Sequence, residues 1–413
     1  MVVFTSPTDP LRLSWRYRHT YYLPPWTLEE LQLAASVLDY PFSDDKIENR
    51  FWKFGGVARN CFMLDPGRLP CELDELTKPT EVITCREALD KLLVGVPMDD
   101  RHRYFLHYEP KGDGRQWDTK LVSAMVREKL AKRLFSIIKG RMNQAQDLLL
   151  GIPDGESLRR SILEVRVHTK LQRGRPLIAR RLDVATERGT RFKIVKSAEM
   201  DIFQSNELTT ALLNNGPYHK LKQNNFLSMD GFYFPVLPVG ETPSLDEKDK
   251  RILLFRIADS TTLPVRASGI IYLLKKLGLL DMVKANPKHA AQIFFHPAVG
   301  LKDFNRQQIL SNGICTSPKR VDEVEGIGSG TLKTLRTYNV KKIADLEEKI
   351  DDFQNGNLTL EDEKDRENWL RPVRLWEQEV QCLDDPANVK MVDEIPQYVA
   401  SSGKAQLYDV GAA

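Results

Sequence analysis

The sequence predicts an α+β protein of several domains, and three observations carry that prediction. Helical spacing dominates the first 145 residues, an alternation of helix and strand patterns takes over from about Ser157, and a Gly-hydrophobic-Gly turn between short helical stretches sits near Gly326. With 413 residues, 41% hydrophobic and 28% charged, the chain is long enough for two or three cores and too apolar for disorder.

The helical start is announced by Thr27-Leu28-Glu29-Glu30, a capping box in which a hydroxyl and a carboxylate satisfy free amides, so a helix is expected from about Leu28 to Leu38. Thr84-Cys85-Arg86-Glu87 repeats the signature. Leu121, Met125, Leu130 and Leu134 follow helical spacing across 118–142, with Lys and Arg between them. From Ser157 a helix through Leu158 to Leu171 precedes strand patterns at 176–182 and 191–195 and a helix near 206–214. Two β-rich runs, 228–238 and 251–258, flank a polar loop as a long hairpin would. A helix at 267–277 and a strand at 291–296 follow, and the tail reads as helical pieces, including 361–380, with a frayed end from Ser401.

Composition excludes several classes. The longest apolar runs fall far short of the roughly 20 residues a bilayer span needs, and the first ten residues lack a signal peptide's charged start and apolar core. No membrane role is expected. Five cysteines, odd in number and without C-x-x-C spacing, indicate neither a disulfide framework nor zinc. The formal charge of +3 hides an asymmetry: 118–181 holds fifteen Lys and Arg against six Asp and Glu, whereas 343–413 holds seven against seventeen. A basic middle suits a polyanionic partner.

The stretch from Val324 to Leu335 reads as a helix-hairpin-helix contact with a phosphate backbone. Gly326 and Gly328 would form the turn, Val324 and Ile327 its apolar anchors, and Leu332 and Leu335 its inner face. Exposed amides there, with the start of a second helix through Gly330 and Thr331, can receive a phosphate oxygen, and Lys333, Lys341 and Lys342 add charge. Such contacts are independent of base sequence and sensitive to salt. The expected partner is DNA.

Three blocks in the α/β region resemble the restriction-endonuclease-like domain of the Crinkler and retrotransposon-hot-spot proteins. Ile162 to Gly174 is similar to that family's opening helix, with Glu164 directed at the site; Asn224 to Asp230 is similar to the strand bearing its first metal-binding Asp; Leu253 to Ser260 aligns with a strand that ordinarily carries Glu or Gln, one spacer, then Lys or Thr. The resemblance implies Mg²⁺ held by Glu164 and Asp230, activating water against a phosphodiester. Arg256 stands where the second carboxylate or amide belongs, Ala258 where the Lys belongs, and Leu263 replaces a family His. An Arg repels Mg²⁺, so catalysis by Glu164, Asp230 and Arg256 is degenerate and binding without cleavage is the expectation. Asp259 and Asp246 stand as displaced carboxylates. An active Mg²⁺-dependent endonuclease and a protein-interaction scaffold that never touches nucleic acid are the alternatives.

Tyr22 to Leu31 and Ile47 to Arg59 resemble the helical lid that ends the P-loop ATPase of Crinklers, in which the Arg of Gly-Gly-x-x-Arg points to nucleotide phosphates. The matching residue is Arg59. No G-x-x-x-x-G-K-[ST] is present, so no nucleotide is expected and Arg59 is assigned a packing role. The expected domains are a lid-like helical segment (1–145), a degenerate endonuclease-like domain (150–302), a helix-hairpin-helix module (303–350) and an acidic helical tail (351–413). The resemblance also implies a secreted effector acting on DNA, with host nuclear proteins as further partners, in the host nucleus.

Overall fold

A computed structural model of the chain describes residues 23–85, 87–89, 106–112, 116–138, 149, 155–183, 189–197, 200–203, 207–222, 229–235, 251–257, 265–296, 310–311, 319–324, 326–356, 358–360 and 362–401. In chain order the elements used below are α1 (Leu28–Val37), α2 (Asp44–Phe54), α3 (Leu69–Glu81), β1 (Leu106–Lys111), β2 (Gln116–Leu121), α4 (Ala124–Ile137), α5 (Gly155–Gln172), β3 (Leu177–Arg181), β4 (Thr190–Phe192), β5 (Asp201–Phe203), β6 (Tyr218–Leu221), β7 (Gly231–Tyr233), β8 (Ile252–Ile257) and α6 (Ala267–Lys276). They continue as α7 (Leu280–Ala285), β9 (Ala290–His296), α8 (Ser329–Thr337), α9 (Ile343–Gln354), α10 (Glu363–Trp376), α11 (Pro386–Glu394) and β10 (Gln397–Ser401). No described helix is long and apolar enough to cross a membrane. The architecture is mixed α/β, with many helices and one large mixed sheet.

Two compact units divide the chain. The first takes Met1–Val165, Ile327–Tyr338 and Leu360–Trp369; the second takes Arg166–Gly326, Asn339–Thr359 and Leu370–Ala413. The division cuts across the expected boundaries, because α8 packs on α1 and α2 while the stretches flanking it belong to the second unit.

In the first unit, α1 begins on the expected capping box: Thr27 N donates to Glu30 Oε2 at 2.8 Å, and Glu30 N to Thr27 Oγ1 at 3.2 Å. Ser43 caps α2 and Ser123 caps α4 through the hydroxyl alone, accepting the amides of Lys46 and Val126. Leu31, Ile47, Leu76, Val126, Leu130 and Ile162 are buried together as the core. Burial of each such side chain contributes about 1.5–3 kcal/mol. The first 145 residues are less uniformly helical than their spacing predicts, since β1 and β2 form an antiparallel hairpin with Leu106 opposite Leu121. The reason lies in Gln116–Lys120: Asp118 pairs with Lys111 at 2.7 Å, and Lys120 pairs with Glu109. Those alternating charges are a ladder pattern, and helix begins only beyond the Ser123 cap.

The second unit is built on an eight-stranded sheet in the order β4-β3-β10-β9-β8-β7-β6-β5. Strands β6, β7 and β8 run antiparallel as a meander, and β9 then pairs parallel to β8 after α6 and α7. That parallel step needs a crossover, which the helices supply. The β7/β8 pairing bears out the expected long hairpin, although its loop lies outside the described residues. Every residue of β9 is buried, as a strand covered on both faces requires. Near 206–214 the expected helix is a tighter 3₁₀ turn, Thr210–Asn215.

The largest departure concerns the acidic tail. It is not helical throughout: β10 enters the middle of the sheet, parallel to β9 and antiparallel to β3, with Tyr398, Val399 and Ala400 buried. Five residues with apolar Tyr, Val and Ala are enough for a central strand, and the surrounding carboxylates conceal them from a charge count.

Candidate functional site

The residues expected to do chemistry are distributed between the units. Glu164 falls in the part of α5 that belongs to the first unit, where Arg160, one turn earlier, approaches it at 3.4 Å. Asp230 and Arg256 fall in the second unit. Asp230 precedes β7, is buried, and its Oδ2 accepts the backbone N–H of Ile257 at 2.5 Å while its own N–H donates to Phe255 O at 2.8 Å. Its carboxylate therefore holds the end of β8 beside Arg256. The cleft next to Arg256 is lined by Met229, Leu254, Ile270, Gln292 and Phe294, with no carboxylate. No group of three or more His, Cys, Asp or Glu residues is placed to hold a metal among the described residues. Ala258, Asp259, Leu263 and Asp246 lie outside the described residues.

Sequence reasoning missed two partners of Asp230's neighbourhood. The His168 Nδ1 on α5 and the Tyr218 hydroxyl on β6 share a hydrogen bond, both side chains buried. Burial first, and the Asp230 charge second, push the Tyr218 hydroxyl well above its ordinary pKa, so it stays protonated. Enclosed in this way, the group braces α5 against the sheet.

The hairpin differs from its expected form in one respect that decides its chemistry. Gly330 N donates to Asp44 Oδ1 at 3.2 Å and Thr331 N donates to Asp44 Oδ2 at 2.7 Å, so the amides expected to meet a phosphate are already bonded to a carboxylate of the same chain. A Cβ on Gly330 would stand 2.8 Å from Asp44 Oδ1, and one on Gly328 would stand 2.6 Å from Asp44 Oδ2. Both glycines are needed for that approach. Ile327 and Gly328 are half-buried, and Gly330 and Thr331 are buried. Gly326 is exposed with φ of 91°, and its carbonyl accepts from Arg371 Nε. Lys333 is exposed but reaches Asp39 at 3.2 Å, and Lys364 approaches the same carboxylate at 3.4 Å. The Lys341 and Lys342 amides both donate to Asp345 Oδ2 at 2.9 Å.

Arg59 is exposed on the short turn Ala58–Cys61. Its expected packing role falls to Arg50, which lies over the Phe42 ring at 4.0 Å and donates to the Cys61 carbonyl at 2.9 Å and the Met63 carbonyl at 2.5 Å.

A second group of cations has the opposite character. Arg166, Lys170 and Arg173 recur at i, i+4 and i+7 and so share one face of α5, with Arg175 just beyond its end. Gly174 ends the helix at φ of 66°, and a Cβ there would stand 2.2 Å from Lys196 N. Ser197 N donates to Gln172 O at 3.0 Å and Val195 N to Tyr233 Oη at 3.2 Å, which brings the exposed Lys193 and Lys196 to the same end of the helix. None of these six cations has an ion pair among the described residues. Burial lowers the affinity of Lys170 for its proton, and the charges of Arg166 and Arg175 lower it further. Burial likewise lowers the pKa of Arg166. The i, i+4, i+7 recurrence of basic residues in 166–173 was available in the sequence as its signal.

No family model, no curated protein and no solved structure matches this chain.

Proposed function

We propose that this protein binds DNA through the phosphate backbone, with the basic end of α5 as the contact surface, and that it does not cleave what it binds. The observation that carries the proposal is the set Arg166, Lys170, Arg173, Arg175, Lys193 and Lys196, without an ion pair among the described residues and, at Lys170, half-buried against like charge. Cations held together at an energetic cost gain most from a polyanion, which relieves their repulsion and releases its own counterions. Phosphates satisfy this arrangement in any base sequence.

The non-cleaving half of the proposal follows from the nuclease-like residues. The resemblance to the restriction-endonuclease-like domain calls for an Asp on a strand, and Asp230 immediately precedes β7. One Asp230 oxygen, however, is engaged by the Ile257 amide, and Arg256, where the resemblance calls for a carboxylate or amide, offers no ligand to a metal. A role as an effector in a host nucleus rests on the resemblance of those blocks to Crinklers.

The test is a titration of a fluorescent duplex across potassium chloride concentrations, with a plasmid incubation in Mg²⁺ or Mn²⁺ beside it. Four to six phosphate contacts predict a slope of log K against log salt of about −4 to −5, irrespective of sequence. Absence of binding at low salt contradicts the proposal. Metal-dependent cleavage that disappears in Asp230→Ala contradicts its second half.

A further inference from the structure

At the start of α8 two backbone amides meet a carboxylate of the same chain. Asp44 is only 2% exposed, and no described Lys or Arg pairs with it; its two oxygens are instead bound by successive amides at the positive end of a nine-residue helix. A buried carboxylate without a cation is costly unless fixed dipoles replace its water, and these amides are such dipoles. A second observation points to the same place. Thr331, 0% exposed, has a buried hydroxyl with no hydrogen-bond partner among the described residues. The first turn thus offers three donors on two consecutive residues, and the resident carboxylate uses two.

The surrounding bonds fix Asp44 from its other side. Its N–H donates to Asn368 Oδ1 at 3.0 Å, Asn368 Nδ2 approaches Thr334 Oγ1 at 3.5 Å, and the Ser43 hydroxyl donates to Glu367 at 2.5 Å. Thr334 in turn donates to Asp365 at 2.8 Å, and Ser36 to Ser329 O at 3.5 Å. Gly328 and Gly330 leave room for the carboxylate and for nothing larger than hydrogen at their own α-carbons.

We infer that the Gly328–Thr331 turn is a carboxylate receptor occupied in cis by Asp44, which clasps the start of α2 to the start of α8 and closes the hairpin to external phosphate. Its ligand class is a small oxyanion of carboxylate geometry. The function of the turn is then cohesion of the first unit, separate from the DNA contact proposed for α5.

The experiment is chemical rescue of the full chain with formate, which supplies the carboxylate that Asp44→Gly removes and fits within the vacated space. Thermal melts are recorded for the wild type, Asp44→Gly and Asp44→Asn in sodium formate and in sodium chloride of equal ionic strength. Asp44→Gly is expected to melt below the wild type and to regain at least about 3 °C in formate beyond any shift of the other two proteins, whose pockets stay filled. Equal shifts in all three overturn the inference. Should Asp44→Gly show no cooperative melt in chloride, formate is expected to restore one together with the helical circular dichroism signal, and failure to do so overturns the inference as well.

Discussion

Two regions of this molecule have the makings of an anion receptor, and they differ in whether the anion is already present. At the start of α8 the amides of Gly330 and Thr331 are met by the buried Asp44 carboxylate, and Lys333 and Lys364 both turn to Asp39. At the end of α5, Arg166, Lys170, Arg173 and Arg175 stand together with no ion pair among the described residues. The difference teaches that a phosphate-binding pattern in sequence specifies donors, while tertiary packing decides who receives them. Where acids have been supplied internally, the donors serve cohesion; where none pairs with them among the described residues, the cations' mutual repulsion persists.

If that contrast holds, substitutions in the two regions have opposite effects on stability. The largest change is expected from Asp44→Ala, which strands two amide donors and should destabilise the fold by about 3 kcal/mol in urea denaturation. Gly330→Ala should cost about 1–2 kcal/mol despite the better helix propensity of Ala, because its Cβ intrudes on the Asp44 carboxylate. A neutral result at both positions would remove the basis for calling the hairpin a clasp.

A smaller effect of the opposite sign is expected at α5. Lys170→Met keeps the buried stem and discards the charge, so it should stabilise the protein by about 0.5 kcal/mol at neutral pH. The dependence on pH sharpens the comparison. Lys170 binds its proton more weakly when folded, so the penalty is full below its lowered folded pKa and fades as pH rises towards the ordinary lysine value of 10.5. The advantage of Lys170→Met over the wild type should therefore shrink between neutral pH and that value; an advantage that grows would contradict the like-charge account.

Much of the fold is legible in the sequence because local signals agree with packing there. The Thr27/Glu30 capping box, the helix from Leu158 to Leu171 and the apolar runs of β8 and β9 each announce one element without help from distant residues. The β1/β2 hairpin is hidden by apolar residues that also fit helical spacing, and β10 by the carboxylates around it; both depend on partners elsewhere in the chain. The candidate site divides along the same line. The i, i+4, i+7 cations of α5 can be counted from residue names, whereas Asp44 lies 286 positions from Gly330 and nothing local in either segment pairs them.

The central claim is that DNA is held by α5 and not by the hairpin, and two charge-altered proteins measured side by side test it most directly. One carries Arg166→Glu, Lys170→Glu, Arg173→Glu and Arg175→Glu; the other carries Gly326→Asp and Lys333→Glu. Duplex affinity across potassium chloride concentrations should fall at least about tenfold at low salt in the first protein, with the slope reduced by about 3 to 4, and should stay within about twofold of the wild type in the second. Loss of affinity in the hairpin variant with retention in the α5 variant would contradict the account.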